Sequence, residues 1–572
     1  MKRRNFIGLA GTVGGLLSTF PNTLFGNDKL IYDKYGKRSD RQELTADVVI
    51  AGGGLGGVAA ALSALRNGLR VILAEETDWI GGQLTQQGVP PDEHRWIESH
   101  GATKSYRDFR DGIRTYYKKY YPLTEASAKN PLLNPGNGSV SKLCHEPRVA
   151  LAVMYEMLSP YISNGKLLVL LEHKTIAAEV TGNKVNALKV HNRREGQVYM
   201  LHAPYFVDAT ELGDLLPMTG TEHVRGAESK SQTREIHAAD IADPENQQAF
   251  TVCFAMDYVK GKDFVIEKPE MYDFWKNHVP PLTPSWSGKL LDLKYSKPAT
   301  LVPAELGFHP EGHVGKTLNL WNYRRIIDKN NFEPGFYDGD ITIVNWPQND
   351  YMLGNLDGSE EEFNFHVYRA KQLSLSLLYW LQTEAPRPEG GYGWPGLRLR
   401  GDIMGTEDGM AKYPYVRESR RIEALFTVLE EHVGKENRGL VLGKKSGYEA
   451  ADFYDSVGIG SYHIDLHPSS KGNNYIDFPS LPFQIPLGAL IPKRMENLLP
   501  ANKNIGTTHV TNGCYRLHPV EWSIGEAVGL LVFQALKKGI LPRDIREGRS
   551  ELATFQELVR KQGIDTKWPT NQ

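Results

Sequence analysis

The stretch Asp47–Glu76, DVVIAGGGLGGVAAALSALRNGLRVILAEE, crowds five glycines into the six residues from Gly52 to Gly57, between two apolar runs. The β-branched run Val48–Ile50 predicts a strand, and the alanine- and leucine-rich segment after Gly57 predicts a helix. A second strand follows at Arg70–Ala74. Gly52, Gly54 and Gly57 thus satisfy G-x-G-x-x-G in the context that gives this short pattern weight, a turn that leaves a strand and opens a helix.

Each glycine has its own reason. Gly52 permits the tight turn, Gly54 lets backbone N–H groups approach a pyrophosphate, and Gly57 lets the helix pack close to the sheet. The helix N-terminus then faces the phosphates. Glu75 ends the second strand 21 residues beyond Gly54, placed to accept hydrogen bonds from a ribose, and an acid there argues against a 2′-phosphate.

Composition narrows the function classes. With 572 residues, a net charge of −2, and 66 basic against 68 acidic side chains, the chain is a globular protein of several domains without the basic block of a nucleic-acid binder. Cys144, Cys253 and Cys514 are too far apart for a C-x-x-C redox pair or an iron–sulfur cluster held by this chain alone. No segment reaches the ~20 apolar residues of a spanning helix. The start, MKRRNFIGLAGTVGGLLSTF, carries Arg3 and Arg4 before Phe6, Ile7 and a short glycine-rich apolar run. It resembles a twin-arginine export signal over residues 1–28, which implies the twin-arginine machinery as a partner and a periplasmic or otherwise exported location. That route carries folded proteins, as a protein loaded with a large cofactor would require.

Two later elements decide which dinucleotide is meant. In ETDWIGGQLTQQG, Gly81, Gly82 and Gln83 follow the acidic residue closely, as in the E-x(n)-GG element of flavoproteins. In YFVDATELGDLLPMTG, a strand ends at Asp208, Ala209 and Thr210, and a helix starts near Gly213 and Asp214, which looks like the closing element of an FAD domain. Glu211 stands where many relatives have glycine, so the turn must differ locally. In GCYRLHPVEWSIGEAVGLLVFQAL, Pro519 suits the first turn of a last helix, continued by apolar residues from Ile524 past Gly525 to Leu536.

These motifs in order, with PYVRESRRIEA from Pro414, resemble the bacterial FAD-dependent oxidoreductase family of the glutathione-reductase-like FAD superfamily. The resemblance implies an α/β fold, a Rossmann-like FAD-binding domain assembled from separated chain segments (45–250 and 480–545), with an inserted α+β substrate or cap region (251–479) and a C-terminal tail (546–572). It implies FAD bound by Gly52, Gly54, Gly57, Glu75, Gly82, Gln83, Asp208, Ala209, Thr210, Asp214 and Gly525. It also implies that the last helix points its N-terminus at the pyrimidine edge of the flavin, where its partial positive charge would stabilise the reduced anion.

The inserted region is rich in proline, tryptophan, tyrosine and asparagine from Lys260 to about Phe365, as expected of loops over a pocket, and its aromatics are compatible with stacking on sugar rings. A helical run follows at His366–Glu384. GYGWPG, Gly391–Gly396, repeats the glycine pattern but contains Pro395 and lacks a preceding strand, so it reads as a loop and leaves no second nucleotide fold for NAD(P)H.

The candidates for chemistry gather at the last helix. His518, just before it, is either a side chain that exchanges a proton near neutral pH or a helix cap or flavin-O2 donor without proton transfer, and Arg516 is a fixed cation for a carboxylate or carbonyl, with an ion pair to Glu521 or Glu526 as its plainer role. In RESRR, a helix would put Arg417 and Arg421 on one face with Arg420 beside them, either as a solvated basic face or as part of the pocket. His463, Asp465 and His467 alternate along an extended stretch, but no further ligand cluster supports a metal, and none is assigned. Cys144, His145 and Glu146 precede Pro147 as a helix start. The functional expectation is an exported FAD-dependent dehydrogenase or reductase that exchanges a hydride at flavin N5 with a small polar, carbohydrate-like substrate, its electron partner undefined. A non-redox lyase or hydratase with structural FAD, and a flavin electron-transfer module, are the alternatives.

Overall fold

The computed structural model describes residues 43–569, so the export signal read at residues 1–28 lies outside the described residues. At its centre is a five-stranded sheet of Leu498–Pro500, Tyr205–Asp208, Val48–Ala51, Val71–Glu75 and Leu167–Leu171, in that spatial order and parallel throughout. The late strand Leu498–Pro500 pairs with Tyr205–Asp208, so the two distant chain segments join in one sheet.

A parallel sheet is covered on both faces and its strands read as continuous apolar runs. Here the period-2 alternation decides which layer each residue meets. Val48, Ile50, Leu73 and Val207 face the glycine helix Leu55–Arg66, over which the last helix His518–Lys538 lies. Val49, Ala51, Ile72 and Phe206 face a second sheet, in which Glu43–Thr45, Val198–His202, Lys184–Asn192 and His173–Thr181 pair in that order.

The glycine helix is buried from Leu55 to Leu65, because the last helix lies across it. Small residues permit that crossing. A Cβ on Gly525 would stand 2.0 Å from the Gly56 carbonyl oxygen, and one on Gly529 2.4 Å from that of Ala60. The Ser63 hydroxyl donates to the Glu526 carbonyl oxygen at 2.7 Å, and Arg66 pairs with the Glu526 carboxylate at 3.2 Å. Gly525 therefore makes room for a helix crossing.

The inserted region has its own core. Phe254–Tyr258 is flanked by Ile341–Val344 and Leu397–Leu399 in an antiparallel sheet that packs against the helix Glu360–Thr383. That helix starts six residues before the expected run, because Ser359 and Glu362 form a reciprocal cap. Trp275, Trp286, Trp321, Trp346, Trp380 and Trp394 are buried in this core, so these tryptophans are packing residues and not the sugar-stacking surface that composition suggested. RESRR is likewise not a helix. Residues 416–420 run without regular structure, and Arg421–Ile422 pairs with His223–Val224. The reason is tertiary: Arg421 is fully buried and held by Glu418 at 2.6 Å and Glu228 at 3.0 Å.

Candidate functional site

The turn after Val48–Ala51 has the strain that glycine relieves. Gly52 sits at φ +93°, and a Cβ there would lie 2.2 Å from the Ala209 carbonyl oxygen. A Cβ on Gly57 would lie 2.2 Å from the Gly52 carbonyl oxygen, and one on Gly56 1.5 Å from the Ala501 carbonyl oxygen. Glu75 accepts from the Gly53 N–H at 2.7 Å and the Thr77 N–H at 2.8 Å, and burial, opposed by these donors, pushes its carboxyl up to about 6. Over this turn lies a cavity lined by Gly52, Gly54, Glu75, Gln87, Thr210 and Tyr413, among others.

Two predicted residues serve the turn itself. Asp208 accepts from the Thr210 N–H at 3.0 Å, the Thr210 hydroxyl at 2.7 Å and the Leu215 N–H at 3.1 Å, which fixes the path from strand to helix. Asp214 pairs with Arg420 at 3.2 Å, so Arg420 belongs to this end of the domain and not to the arginine group below.

Gln83 links the turn to a second constellation. Its amide donates to the Arg516 carbonyl oxygen at 3.0 Å and to the Glu521 carboxylate. Beyond it, Arg324 pairs with Asp92 at 3.3 Å, Arg417 with Asp350 at 2.9 Å, and Arg516 with Asp465 at 3.2 Å. The ion pair expected between Arg516 and Glu521 or Glu526 is not formed, because Glu521 is held by Gly56 and Gln83 and Glu526 by Arg66. His467 donates from Nδ1 to Asp350 at 2.6 Å, and His463 contacts Asp477 at 2.5 Å, so this pair of histidines faces two different carboxylates. Among the described residues no group of three or more ligating side chains is placed to hold a metal. Against burial, which raises it, Arg417 and His467 hold the Asp350 carboxyl below its ordinary range, and His467 and Arg516 do the same for Asp465.

His518 lies at the head of the last helix and accepts at Nδ1 from the Asp92 N–H at 3.0 Å, which puts the proton of the neutral ring on Nε2. The premise of an imidazole titrating near neutrality is not met. Burial, opposed by Asp92 and reinforced by Arg324, pushes His518 down to about 3. His145 donates at Nδ1 to the Glu146 carbonyl oxygen at 3.0 Å, leaving its Nε2 as an acceptor. Neither Nε2 has a protein partner, nor has the guanidinium Nε of Arg324, Arg417 or Arg516, nor the side-chain amide of Gln87. Buried polar atoms are normally satisfied, so such a concentration points to a polar ligand.

Arg324, Asp92 and Asp350 were missed in the sequence because they come from segments with no motif. Lys503, whose ammonium is buried against Glu211 and Asn502, was missed too, though a lysine after the apolar strand Leu498–Pro500 was a visible signal.

A family model described as "FAD dependent oxidoreductase" matches residues 47–559. No curated protein matches the chain in sequence. Among solved structures, it is similar to a glycerol-3-phosphate dehydrogenase from Bacillus halodurans complexed with FAD, at 16% identity and TM-score 0.23 over 38% of this chain and 41% of that one. The chain thus spans less than half the length of that dehydrogenase. It is also similar to a geranylgeranyl bacteriochlorophyll reductase-like protein from Thermoplasma acidophilum, at 10% identity and TM-score 0.30 over 91% and 84% of the two chains. E. coli quinol fumarate reductase FrdA gives 10% identity and TM-score 0.30 over 91% and 74%. The family model, which spans nearly all the described residues, carries the assignment: the chain belongs to the FAD dependent oxidoreductase family, an oxidoreductase with FAD as its cofactor.

Proposed function

We propose that this protein is an exported dehydrogenase or reductase that exchanges a hydride at flavin N5 with a small polar, carboxylate- or carbonyl-bearing substrate such as a sugar acid. The observation that carries the reading is the buried set Arg324, Arg417 and Arg516, each paired with its own aspartate and each keeping an unpartnered Nε. Guanidinium groups fixed in this way recognise planar carboxylates and polarise carbonyl oxygens. The buried histidines fit the same chemistry, His518 as a donor at Nε2 toward a substrate oxygen and His145 as an acceptor at Nε2. FAD, when bound, supplies the two-electron exchange. Glu75 and the Gly52–Gly57 turn would hold its adenosine and phosphate end, and Gln83 connects that end to the arginines.

The test is anaerobic. Sugar acids, hydroxy acids and neutral sugars are mixed with the holoenzyme and flavin bleaching is recorded; at least one acid is expected to bleach it and the matched neutral sugar to fail. Arg417→Lys should then raise KM more than it lowers kcat, since the planar fork is lost while the charge stays. A substrate that turns over with no spectral change would overturn the redox reading. The signal at residues 1–28 supports export, and Arg3→Lys with Arg4→Lys should retain the precursor in the cytoplasm on fractionation. Normal release of that double variant would refute the route.

A further inference from the structure

The place that a G-x-G turn leaves clear for a pyrophosphate is filled here by the chain itself. An ideal Cβ at Gly54 would meet Glu211 Oε1 at 3.1 Å, Asn502 Nδ2 at 3.2 Å and Glu521 Oε1 at 3.3 Å. The Gly56 N–H, in the first turn of the glycine helix, donates to Glu521 Oε1 at 3.1 Å. The other Glu211 oxygen holds the Lys503 ammonium, which also donates to Asn502 Oδ1 at 3.0 Å. A helix N-terminal amide and a buried lysine are the partners a phosphate seeks, and both are taken by carboxylates. The cavity left over the turn holds about 30 Å³, room for a water or two. Gln87, fully buried in its wall, has neither side-chain atom partnered, and Glu211 Oε1 has no donor either.

We propose that Glu211 and Glu521 are internal stand-ins for the FAD pyrophosphate, and that FAD binds by displacing Glu211 from Lys503 and Glu521 from the Gly56 amide. Lys503 and the helix amide are then handed to the phosphates, and Gln87 gains partners as the cavity opens. Burial pushes the Glu521 carboxyl up to about 7, with Lys503 opposing and Glu211 adding to the rise, so holding this carboxylate in the buried turn has a cost that its displacement relieves. The proposal rests on the FAD assignment and deepens it: Glu211 and Glu521 set how tightly this chain takes up its own cofactor.

The experiment is a titration of FAD into the full chain after removal of bound flavin, read by quenching of flavin fluorescence. Glu211→Gly should tighten binding at least tenfold, or about 1.4 kcal/mol. Glu211→Gln, which keeps the bulk and loses the charge, should fall between that variant and the wild type and guards against a folding defect in the glycine variant. Lys503→Met should weaken binding at least tenfold. Adenosine, which carries no phosphate, should bind all four proteins alike. Equal FAD affinity in the wild type and both Glu211 variants overturns the stand-in while leaving the cofactor assignment intact, as does a Lys503→Met protein that binds like the wild type. Failure of every protein to bind FAD overturns the cofactor assignment itself, and the stand-in with it.

Discussion

The glycine turn and the arginine constellation meet at Gln83, yet they are built in opposite ways. The turn comes from one continuous stretch, and its geometry is imposed by backbone approach: Gly56 touches Ala501 and Gly525 touches Gly56. The constellation draws Asp92, Arg324, Asp350, Arg417, Asp465 and Arg516 from six stretches of chain, and its geometry is imposed by charge pairing among largely buried side chains. Shape defines the first, where side chains are excluded. The second depends on each buried charge having its partner, so the two regions should fail differently when altered.

The sharpest break is expected at the crossing of the two helices. Gly56→Val would drive a Cβ into the Ala501 carbonyl oxygen, at 1.5 Å, with backbone on every side and nothing flexible to yield. Overpacking against backbone lies at the severe end of core substitutions, so a loss on the order of 4 kcal/mol or more is expected, read as recovery in the insoluble fraction or a collapse of Tm. A soluble variant with unchanged Tm would show that the crossing is looser than the distances state.

In the constellation, the largest effect should come from orphaning a charge. Arg417→Met leaves Asp350 with only Thr251 and His467, and breaking a buried pair costs about 3–5 kcal/mol. Pairing Arg417→Met with Asp350→Leu should recover much of that loss, because the lone carboxylate is the source of the cost. Chemical denaturation of both variants measures it, and a double variant no better than the single one would mean that Arg417 acts through packing instead.

Gly54 separates cofactor binding from folding within the same turn. Its φ of −59° suits any residue, and a Cβ there meets only side-chain ends, at 3.1–3.3 Å. Gly54→Val should therefore fold and lose FAD affinity on the order of 100-fold, or about 2.7 kcal/mol, because the backbone can no longer approach the pyrophosphate. Full FAD occupancy in this variant, measured by the flavin spectrum after gel filtration, would remove the turn from the binding site.

The same contrast explains what the sequence disclosed. Strand, turn, helix and Glu75 are neighbours along the chain, so spacing alone located them, and the apolar run at Tyr205 could be read as a strand of the same sheet because a buried strand needs no partner-specific code; the short strand Leu498–Pro500 carried no motif and came only from the fold. RESRR misled because helical spacing is a local signal, whereas Arg421 is held by Glu228, almost two hundred residues away. The tryptophans misled for a related reason: composition gives no direction, and these rings point into a core. Glu211 was visible as a misfit at a glycine position, but its meaning depended on Lys503 and Gly54, which only the fold brings beside it.

The smallest predicted effect concerns His518, where the two regions touch. The imidazole is faced by Asp92 and Arg324 from separate loops, by His145 near the head of another helix, and by Arg516 just before its own helix. Burial lowers its folded pKa from the ordinary 6.5 to about 3, and in the unfolded chain it returns to the ordinary value. Above pH 6.5 neither state is protonated there and the group contributes no pH dependence. As pH falls below that value the unfolded chain takes up a proton that the folded protein refuses, so stability drops steadily until about pH 3. At pH 5 the loss is about 2 kcal/mol, from 1.36 kcal/mol per pKa unit. His145, lowered to about 4 mainly by burial, adds a loss of the same sign. His518→Asn keeps a neutral hydrogen-bonding side chain and removes one of the two titrations, so its unfolding free energy should fall less steeply between pH 7 and pH 5 than the wild type's, by about 2 kcal/mol. Parallel pH profiles for the two proteins, measured by denaturant titration, would mean that His518 takes up a proton in the fold as readily as in the unfolded chain and could serve as an acid after all.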